Sequence, residues 1–251
     1  MSTPGAMHSL LEVRGIRKTY ATLTALDGVD LTVTARSFHG LIGPNGSGKS
    51  TLLKAIAGAE MPTGGSVKFL GKDITRATPA ERSHAGMSLK FQITSVLPAL
   101  SVYDNVLLAV QAQDSMATLL LSRSRTALHR RIMDMMVQFR LDDRPDELAG
   151  ALSHGQQQWL EIAMALAREP KLLLLDEPTA GMSAQERRST GELLAPIRER
   201  CSLLIVEHDL DFIRDICDTL TVLDQGQIVD SGPTQIVQNS DKVKEAYLSH
   251  A

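Results

Sequence analysis

Residues 43–50 are Gly43-Pro44-Asn45-Gly46-Ser47-Gly48-Lys49-Ser50, and they fit the pattern G-x-x-x-x-G-K-[ST]. An apolar, strand-like run (37–42) precedes this segment, and a helix-forming run (51–57) follows it and stops at Gly58. The glycines allow successive backbone N–H groups to turn inward around the β- and γ-phosphates of a nucleotide at a helix N-terminus. By itself this segment, called the nucleotide loop below, predicts an NTPase or a kinase and does not say which.

Two side chains of the nucleotide loop add chemistry to this cradle. Lys49 is expected to bring a positive charge to the phosphates, and the hydroxyl of Ser50 is a ligand for Mg²⁺. ATP and Mg²⁺ are therefore the predicted cofactors. The remaining residues of the predicted nucleotide site are Gly43, Pro44, Asn45, Gly46, Ser47, Gly48 and Thr51.

The second signal is an apolar run that ends in two acids, Leu172-Leu173-Leu174-Leu175-Asp176-Glu177. A buried parallel strand needs such a run, and its carboxyl end lies where α/β sheets bind ligands. Because successive strand residues point to opposite sides, the two carboxylates are expected to differ in role. Asp176 would hold Mg²⁺, and Glu177 would polarise the attacking water. The structural alternative is a charge pair at a helix N-terminus before Pro178.

The bulk properties bound the possible functions. The length of 251 residues suits one large domain or a core with an inserted lobe. A net charge of -3 gives no overall basic field that would attract nucleic acid or anionic lipid. The two cysteines, Cys201 and Cys217, form neither a disulfide framework nor a metal cluster. Without a leader-like N-terminus or a run of roughly 18 apolar residues, a membrane role would have to act through partners.

The order of elements predicts an α/β fold. We expect a P-loop NTPase core of the RecA-like type with an antiparallel β portion and an inserted helical lobe. Between about 93 and 156 the β-branched runs fade, and apolar residues at helical spacing occupy 102–110 and 126–139. The expected ATPase domain is 8–251, with the core at 8–92 and 157–251 and the helical lobe at about 93–156. Strands are predicted at 10–16, 29–33, 37–42, 66–70, 86–91, 171–175, 202–206, 220–223 and 227–229.

The segment Leu152-Ser153-His154-Gly155-Gln156, called the Ser153 loop below, separates the remaining possibilities. Here the sequence resembles the ABC ATPase family, whose signature in this place is usually Leu-Ser-Gly-Gly-Gln. The loop precedes a helix, so Ser153 and Gly155 can offer hydroxyl and N–H donors to a phosphate, with Gln156 beside them. The resemblance implies that this phosphate belongs to ATP held by an opposing subunit. Considered without the family, Ser-x-x-Gln is a capping box.

Three further residues match the same family, in the expected order. Gln92 matches the glutamine that contacts Mg²⁺ and the attacking water and senses the membrane partner. His208, in Val206-Glu207-His208-Asp209, matches the histidine that reaches the γ-phosphate. Tyr20 matches the aromatic residue that stacks on adenine. Without the family, each residue would have an ordinary structural interpretation. Gln92 would be a glutamine at the end of a strand, His208 would cap a helix or lie on the surface, and Tyr20 would belong to the core.

One departure from the family concerns the segment after Glu177. The family commonly continues Ser-Ala-Leu-Asp, whereas this chain has Ala180-Gly181-Met182-Ser183. The aspartate that couples two ATP sites in the family is therefore replaced by Ser183, which puts tight coupling through that residue in question.

Within the family, the segment 152–163 and Ala180-Gly181-Met182 resemble the importer branch for branched-chain amino acids, amides and urea. That resemblance implies an ATPase that forms a head-to-tail dimer with a second ATPase subunit, identical or paralogous, on two transmembrane permease subunits. An extracytoplasmic solute-binding protein would take part indirectly, and nucleic acid is not an expected partner. The expected location is peripheral, on the cytoplasmic face of the inner membrane.

Three other classes are weighed against this one. Soluble ABC proteins of DNA repair or translation usually carry two ATP-binding halves or a long coiled coil, whereas this chain has one set of motifs and no sustained heptads. An exporter motor subunit stays open, because some exporters are also built from separate chains. Small-molecule P-loop kinases share the nucleotide loop but explain neither the Ser153 loop nor Gln92 and His208.

Overall fold

A computed structural model describes residues 9–90, 96–112 and 125–248. Its strands are β1 Ser9–Tyr20, β2 Leu23–Thr34, β3 Phe38–Ile42, β4 Gly64–Phe69, β5 Lys72–Asp73, β6 Met87–Lys90, β7 Leu172–Asp176, β8 Ser202–Val206, β9 Thr219–Asp224 and β10 Gln227–Pro233. Its α-helices are α1 Lys49–Ala57, α2 Pro79–His84, α3 Val102–Gln111, α4 Arg125–Gln138, α5 His154–Leu166, α6 Ala184–Leu194, α7 Leu210–Ile216, α8 Thr234–Val237 and α9 Asp241–Leu248. Short 3₁₀ helices occupy Ala149–Ala151 and Ala195–Glu199.

The larger sheet has the strand order β10-β9-β3-β8-β7-β6. Neighbouring strands from β9 to β6 run parallel, and β10 is antiparallel to β9. Every residue of β3, β7 and β8 is buried, as their continuous apolar runs predict for strands covered on both faces. The carboxyl ends of β3, β8 and β7 therefore meet at one edge of the sheet, where α/β folds bind ligands. The predicted α/β core is confirmed.

A second sheet, entirely antiparallel, has the order β2-β1-β4-β5. One hydrophobic core joins its buried side chains to α1 and to one face of the larger sheet. Gly58 ends α1 in the left-handed conformation, as its position in the sequence predicts. The antiparallel portion of the predicted fold is thus present, and it packs close to the nucleotide loop.

The other face of the larger sheet shares a second core with helices α3 to α7. The helices predicted at 102–110 and 126–139 are present as α3 and α4. The sequence pattern also predicts one helix over 183–198, but α6 ends at Leu194 and continues as a 3₁₀ turn, because Pro196 lacks the N–H that the next helical hydrogen bond requires. Within the described part of the chain, no helix is both long and apolar enough to cross a membrane.

Candidate nucleotide-binding site

The nucleotide loop connects the end of β3 to the start of α1. Gly43 has φ +154°, and a Cβ atom there would lie 1.9 Å from the carbonyl oxygen of Leu223, so only glycine fits. The N-cap of α1 is Gly48, and no side chain of the described residues accepts a hydrogen bond from that helix end. The first N–H groups of α1 therefore remain directed at the loop, as an anion-binding helix N-terminus requires.

Lys49 is held against this loop by the loop's own carbonyl groups. Its Nζ donates to the carbonyl oxygens of Gly43, at 2.8 Å, and Pro44, at 2.9 Å. Burial lowers the pKa of Lys49, whereas the negative charges of Glu177 and Asp176 raise it. The ammonium group therefore lies within electrostatic reach of both acids of the second motif.

The acid pair lies at the carboxyl end of β7. Burial raises the pKa of Asp176, the adjacent Glu177 raises it further, and nearby lysines oppose the shift. Glu177 has φ +47°, a left-handed conformation that is uncommon outside glycine, and its N–H donates to the carbonyl of Val206 at 2.9 Å. This backbone turn brings Glu177 out of the strand.

A cleft of about 640 Å³ brings together eight of the predicted residues, whereas Gly43, Pro44, Ser47, Asp176 and His208 do not line it. It also contains residues that sequence reasoning missed, including the turn between β9 and β10. Gly226 of that turn donates its N–H to the carbonyl of Ser47 at 2.9 Å. The strands predicted at 220–223 and 227–229 form a hairpin that turns at Gln225-Gly226, but the sequence does not indicate that this turn contacts the nucleotide loop. The cleft is lined by the predicted Tyr20, Asn45, Gly46, Gly48, Lys49, Ser50, Thr51 and Glu177, and by Leu23, Thr24, Ala25, Gln225 and Gly226.

Tyr20 is the aromatic residue of this cleft, and its side chain is exposed. The Lys18 ammonium lies 4.8 Å from the centroid of the Tyr20 ring and forms an ion pair of 3.0 Å with Glu60. Tyr20 is thus not the core tyrosine that the structural interpretation supposed. An exposed aromatic ring that lines a cleft is suited to stacking on a planar base.

His208 follows β8, the strand between β3 and β7. Its side chain is exposed, and its N–H donates to Glu207 Oε2 at 3.2 Å. Glu207 itself is fully buried, and its Oε1 accepts from Thr179 N at 2.9 Å and Thr179 Oγ1 at 2.6 Å. Sequence reasoning missed Glu207, although a lone acid after a fully apolar strand was a usable signal.

The Ser153 loop begins α5 and does not line the cleft. Ser153 Oγ accepts from Gln156 N at 3.3 Å, and Gln156 Oε1 accepts from Ser153 N at 3.1 Å, so the capping box is present. His154 Nε2 lies 3.0 Å from the carbonyl oxygen of Ala180. A Cβ atom on Gly155 would lie 2.5 Å from Glu186 Oε1. Ser153, Gly155 and Gln156 thus lie together at a helix N-terminus outside the cleft of their own chain, where Ser153 is exposed, Gln156 is half-buried and Gly155 is buried.

Ser183, which replaces the usual aspartate, is the N-cap of α6. Its Oγ accepts from Glu186 N, and Glu186 Oε2 accepts from Ser183 N at 2.9 Å. The Oγ of Ser183 also donates to Glu186 Oε2, at 2.8 Å, and the hydrogen bonds from Ser183 N and Oγ to this carboxylate hold the pKa of Glu186 below its usual range. Ser183 therefore serves the helix end of its own chain.

Gln92 lies outside the described residues, so its predicted role stays a prediction. The strand before it, β6, ends at Lys90, which pairs with Leu175 of β7. Lys90 Nζ lies 3.1 Å from Glu161 Oε2, and both side chains are buried. This ion pair joins the strand that leads to Gln92 to α5, the helix that begins at the Ser153 loop.

The family model described as ABC transporter matches residues 26–180, more than half of the chain. The chain is 31% identical, over 96% of its length and 98% of the relative, to the high-affinity branched-chain amino acid transport ATP-binding protein BraF of Pseudomonas aeruginosa. It is 34% identical to the methionine import ATP-binding protein MetN 2 of Pseudomonas entomophila, over 89% of this chain and 67% of that protein. It is 32% identical to the galactose/methyl galactoside import ATP-binding protein MglA of Escherichia coli, over 92% of this chain and 45% of that protein.

Solved structures agree with these sequence relatives. The ADP conformation of MJ1267, an ATP-binding cassette of an ABC transporter, superimposes with a TM-score of 0.85 at 31% identity, covering 96% of this chain and 99% of that one. The structure of cbiO1 from Clostridium perfringens shares the fold, with a TM-score of 0.81 at 23% identity over 97% of this chain and 99% of that one.

Proposed function

Since the chain belongs to the ABC transporter family, we propose that it is the ATP-hydrolysing subunit of an importer and forms one half of a two-subunit ATP sandwich. One observation carries this proposal. The cleft unites the nucleotide loop, Glu177 and Tyr20, whereas the Ser153 loop of the same chain faces elsewhere. A phosphate-binding helix N-terminus outside its own cleft is useful to the ATP of a neighbouring subunit.

In the proposed complex, ATP lies in the cleft with adenine on Tyr20 and its phosphates on the nucleotide loop. The backbone N–H groups of 43–51 and the Lys49 ammonium would hold the β- and γ-phosphates. Ser153 and Gly155 of the opposing subunit would complete the site, with Gln156 fixing Ser153 through the capping box. Closure of two such subunits would move the membrane partners, and hydrolysis would reopen them.

Ser50 and Asp176 are proposed as the Mg²⁺ ligands, together with Gln92. The donors fit this ion, because a hydroxyl, a carboxylate and an amide carbonyl are the hard oxygen ligands it prefers. Burial raises the pKa of Asp176 and the neighbouring Glu177 raises it further, so a divalent cation beside these two acids would stabilise their ionised form. Bound Mg²⁺ would neutralise charge that develops on the phosphate oxygens.

Glu177, His208 and Gln92 are proposed as the catalytic residues. Glu177 would orient and deprotonate the attacking water from its position beside Lys49. His208 would contact the γ-phosphate from the end of β8. This assignment is supported by the common edge of the sheet at which β3, β8 and β7 end.

The proposed partners are a second ATPase subunit, identical or paralogous, in head-to-tail arrangement, and two transmembrane permease subunits. An extracytoplasmic solute-binding protein would deliver the solute to the permeases. The chain would then work peripherally at the cytoplasmic face of the inner membrane. We also propose the division into a core at 8–92 and 157–251 and a helical lobe at about 93–156, whose helices α3 and α4 pack with α5 in one core.

Branched-chain amino acids, amides or urea are the proposed solutes. The similarity to BraF along nearly the full length of both chains supports the amino-acid branch, and the segments 152–163 and 180–182 resemble the same branch. Cargo selection itself lies in other subunits, so the solute has to be tested by transport.

The test is uptake in cells that lack the gene. We expect loss of uptake of one such labelled solute, with unchanged efflux of hydrophobic dyes. The wild-type gene should restore uptake, and so should Glu192→Gln, which alters an exposed carboxylate paired with Arg140. Glu177→Gln should not. Normal uptake combined with lost dye efflux would contradict the importer proposal.

A further inference from the structure

A buried carboxylate connects the His208 segment to the turn after Glu177. Glu207 uses one oxygen for Thr179 and the other for the N–H of His208. Its side chain is fully buried, so water cannot replace a lost partner. Separating the Thr179 turn from Glu207, the residue directly before His208, would leave a buried carboxylate with fewer hydrogen bonds, which is strongly unfavourable. The two segments are therefore expected to move together.

The turn after Glu177 carries this connection onward. Ala180 N donates to the carbonyl of Glu177 at 3.2 Å, and Met182 N donates to the carbonyl of Thr179 at 3.1 Å. These bonds make 177–182 a compact unit, in which the position of Thr179 determines the position of the Ala180 carbonyl.

His154 attaches the Ser153 loop to the same turn. Its Nε2 lies 3.0 Å from the carbonyl oxygen of Ala180, a distance at which the N–H donates a hydrogen bond. A Cβ atom on Gly181 would lie 3.2 Å from the same ring nitrogen, so the imidazole lies directly on this backbone. Because His154 is the first residue of α5, a shift of the turn also shifts the N-terminus that Ser153 caps.

We propose that Glu207 and His154 are positioning residues of one link, which carries the state of the γ-phosphate from His208 to the Ser153 loop of the same chain. The proposal rests on the proposed function, in which His208 contacts the chain's own ATP and Ser153 contacts the other subunit's ATP. A chain with ATP in its cleft would then present a better ordered Ser153 loop to its partner than a chain with ADP. The two ATP sites would be coupled through side chains other than Ser183.

Amide hydrogen exchange of the full chain tests the link. The samples contain Mg²⁺ with either ADP or a non-hydrolysable ATP analogue, at saturating nucleotide and at protein concentrations where ATPase activity per chain is constant. In the wild type, the analogue should slow exchange in residues 152–160 by roughly threefold or more relative to ADP. His154→Gly and Glu207→Ala should each remove this nucleotide-dependent difference, and His154→Gln, which keeps a donor, and Glu207→Gln, which keeps an acceptor for Thr179, should each restore part of it.

The matched control is His84→Gly, which removes an exposed histidine whose ring, among the described residues, hydrogen-bonds the Ala80 carbonyl of its own helix. That variant should retain the wild-type difference. A purely structural role of His154 would change exchange equally with both nucleotides, and this result would overturn the link. A wild type in which nucleotide protects 43–51 but leaves 152–160 unchanged would also overturn it, while the nucleotide site stands. Absent protection of 43–51 would overturn the proposed function and the link with it.

Discussion

The nucleotide loop and the Ser153 loop are both helix N-termini, but the fold treats them differently. The first is enclosed: Gly43 touches the backbone of β9, Gly226 bonds Ser47, and the N-cap of its helix is a glycine. The second is exposed and capped by its own Ser153 and Gln156. The same helix-end chemistry is therefore preorganised within one chain at the nucleotide loop and, in the proposed dimer, contributed to a neighbouring subunit at the Ser153 loop.

The largest expected effect is that of Glu177→Gln on ATP hydrolysis at the enclosed nucleotide site. The substitution removes the charge that we propose activates the attacking water, and it leaves the cradle of backbone N–H groups intact. Steady-state ATP hydrolysis should fall by roughly 10²- to 10⁴-fold, while ATP binding, measured by fluorescence of a labelled nucleotide, should persist. Lys49→Ala is the contrasting variant and should lose nucleotide affinity instead. Near wild-type turnover in Glu177→Gln would refute the assigned role.

Ser153→Arg should impair the Ser153 loop and leave the nucleotide loop of the same chain intact. Hydrolysis per chain is expected to rise with protein concentration in the wild type, because each site needs the opposing Ser153 loop. The variant should lose that rise, a decrease of roughly 10- to 100-fold if one or two hydrogen bonds to a charged phosphate are lost. Binding of ATP by the dilute chain should be unchanged.

Thr78→Arg is the matched control for this experiment, because Thr78 and Glu81 form the same capping box at α2. It should lose its helix cap yet keep the concentration-dependent activity. If the two arginine variants behave alike, the Ser153 loop has no special role in the dimer.

Gly43→Ala should destabilise the nucleotide loop through a steric clash. The added Cβ would overlap the Leu223 carbonyl oxygen, so we expect a loss of roughly 3 kcal/mol or more in the free energy of unfolding. At Gly46, φ is +80° and nothing lies within 4 Å of a Cβ, so Gly46→Ala should cost only about 1 kcal/mol. Urea unfolding measures both values, and equal losses would contradict the close approach at Gly43.

His39, in the strand that leads into the nucleotide loop, makes the enclosed region sensitive to acid. Its ring nitrogens lie 2.7 Å from Thr219 Oγ1 and 2.9 Å from Thr221 Oγ1, and burial lowers the pKa of His39 from 6.5 to about 4. As the pH falls below 6.5, the unfolded chain binds the proton first, so folding stability decreases until the pH reaches the folded pKa.

Between pH 7 and pH 5, the wild type should therefore lose about 2 kcal/mol more stability than His39→Gln. Urea unfolding at the two pH values measures this difference. Parallel losses in both proteins would show that His39 is not the group responsible.

The outcome for individual elements shows how far sequence patterns reach. The apolar runs predicted the positions of β3, β7 and β8 correctly. A fully apolar segment of five or six residues between turns has few alternatives to a buried strand. The end of α6 was misjudged by a few residues, since helical periodicity continues past Leu194 although Pro196 removes a hydrogen bond. The turn at Gln225 and Gly226 was recognised, but its contact with Ser47 joins residues far apart in the chain.

The sequence by itself determined the family, the nucleotide loop, the acid pair and the helix caps, because each depends on the spacing of residues within a few turns of one another. Only the tertiary structure decided what lies opposite them: Leu223 against Gly43, Glu207 between Thr179 and His208, and the Ala180 carbonyl beside His154. The physical reason is that the energetic effect of a buried charge or of an absent Cβ depends on which atoms lie beside it in the folded chain. Local patterns specify the chemical groups, and the packing of the two sheets and their helices specifies the partners of those groups.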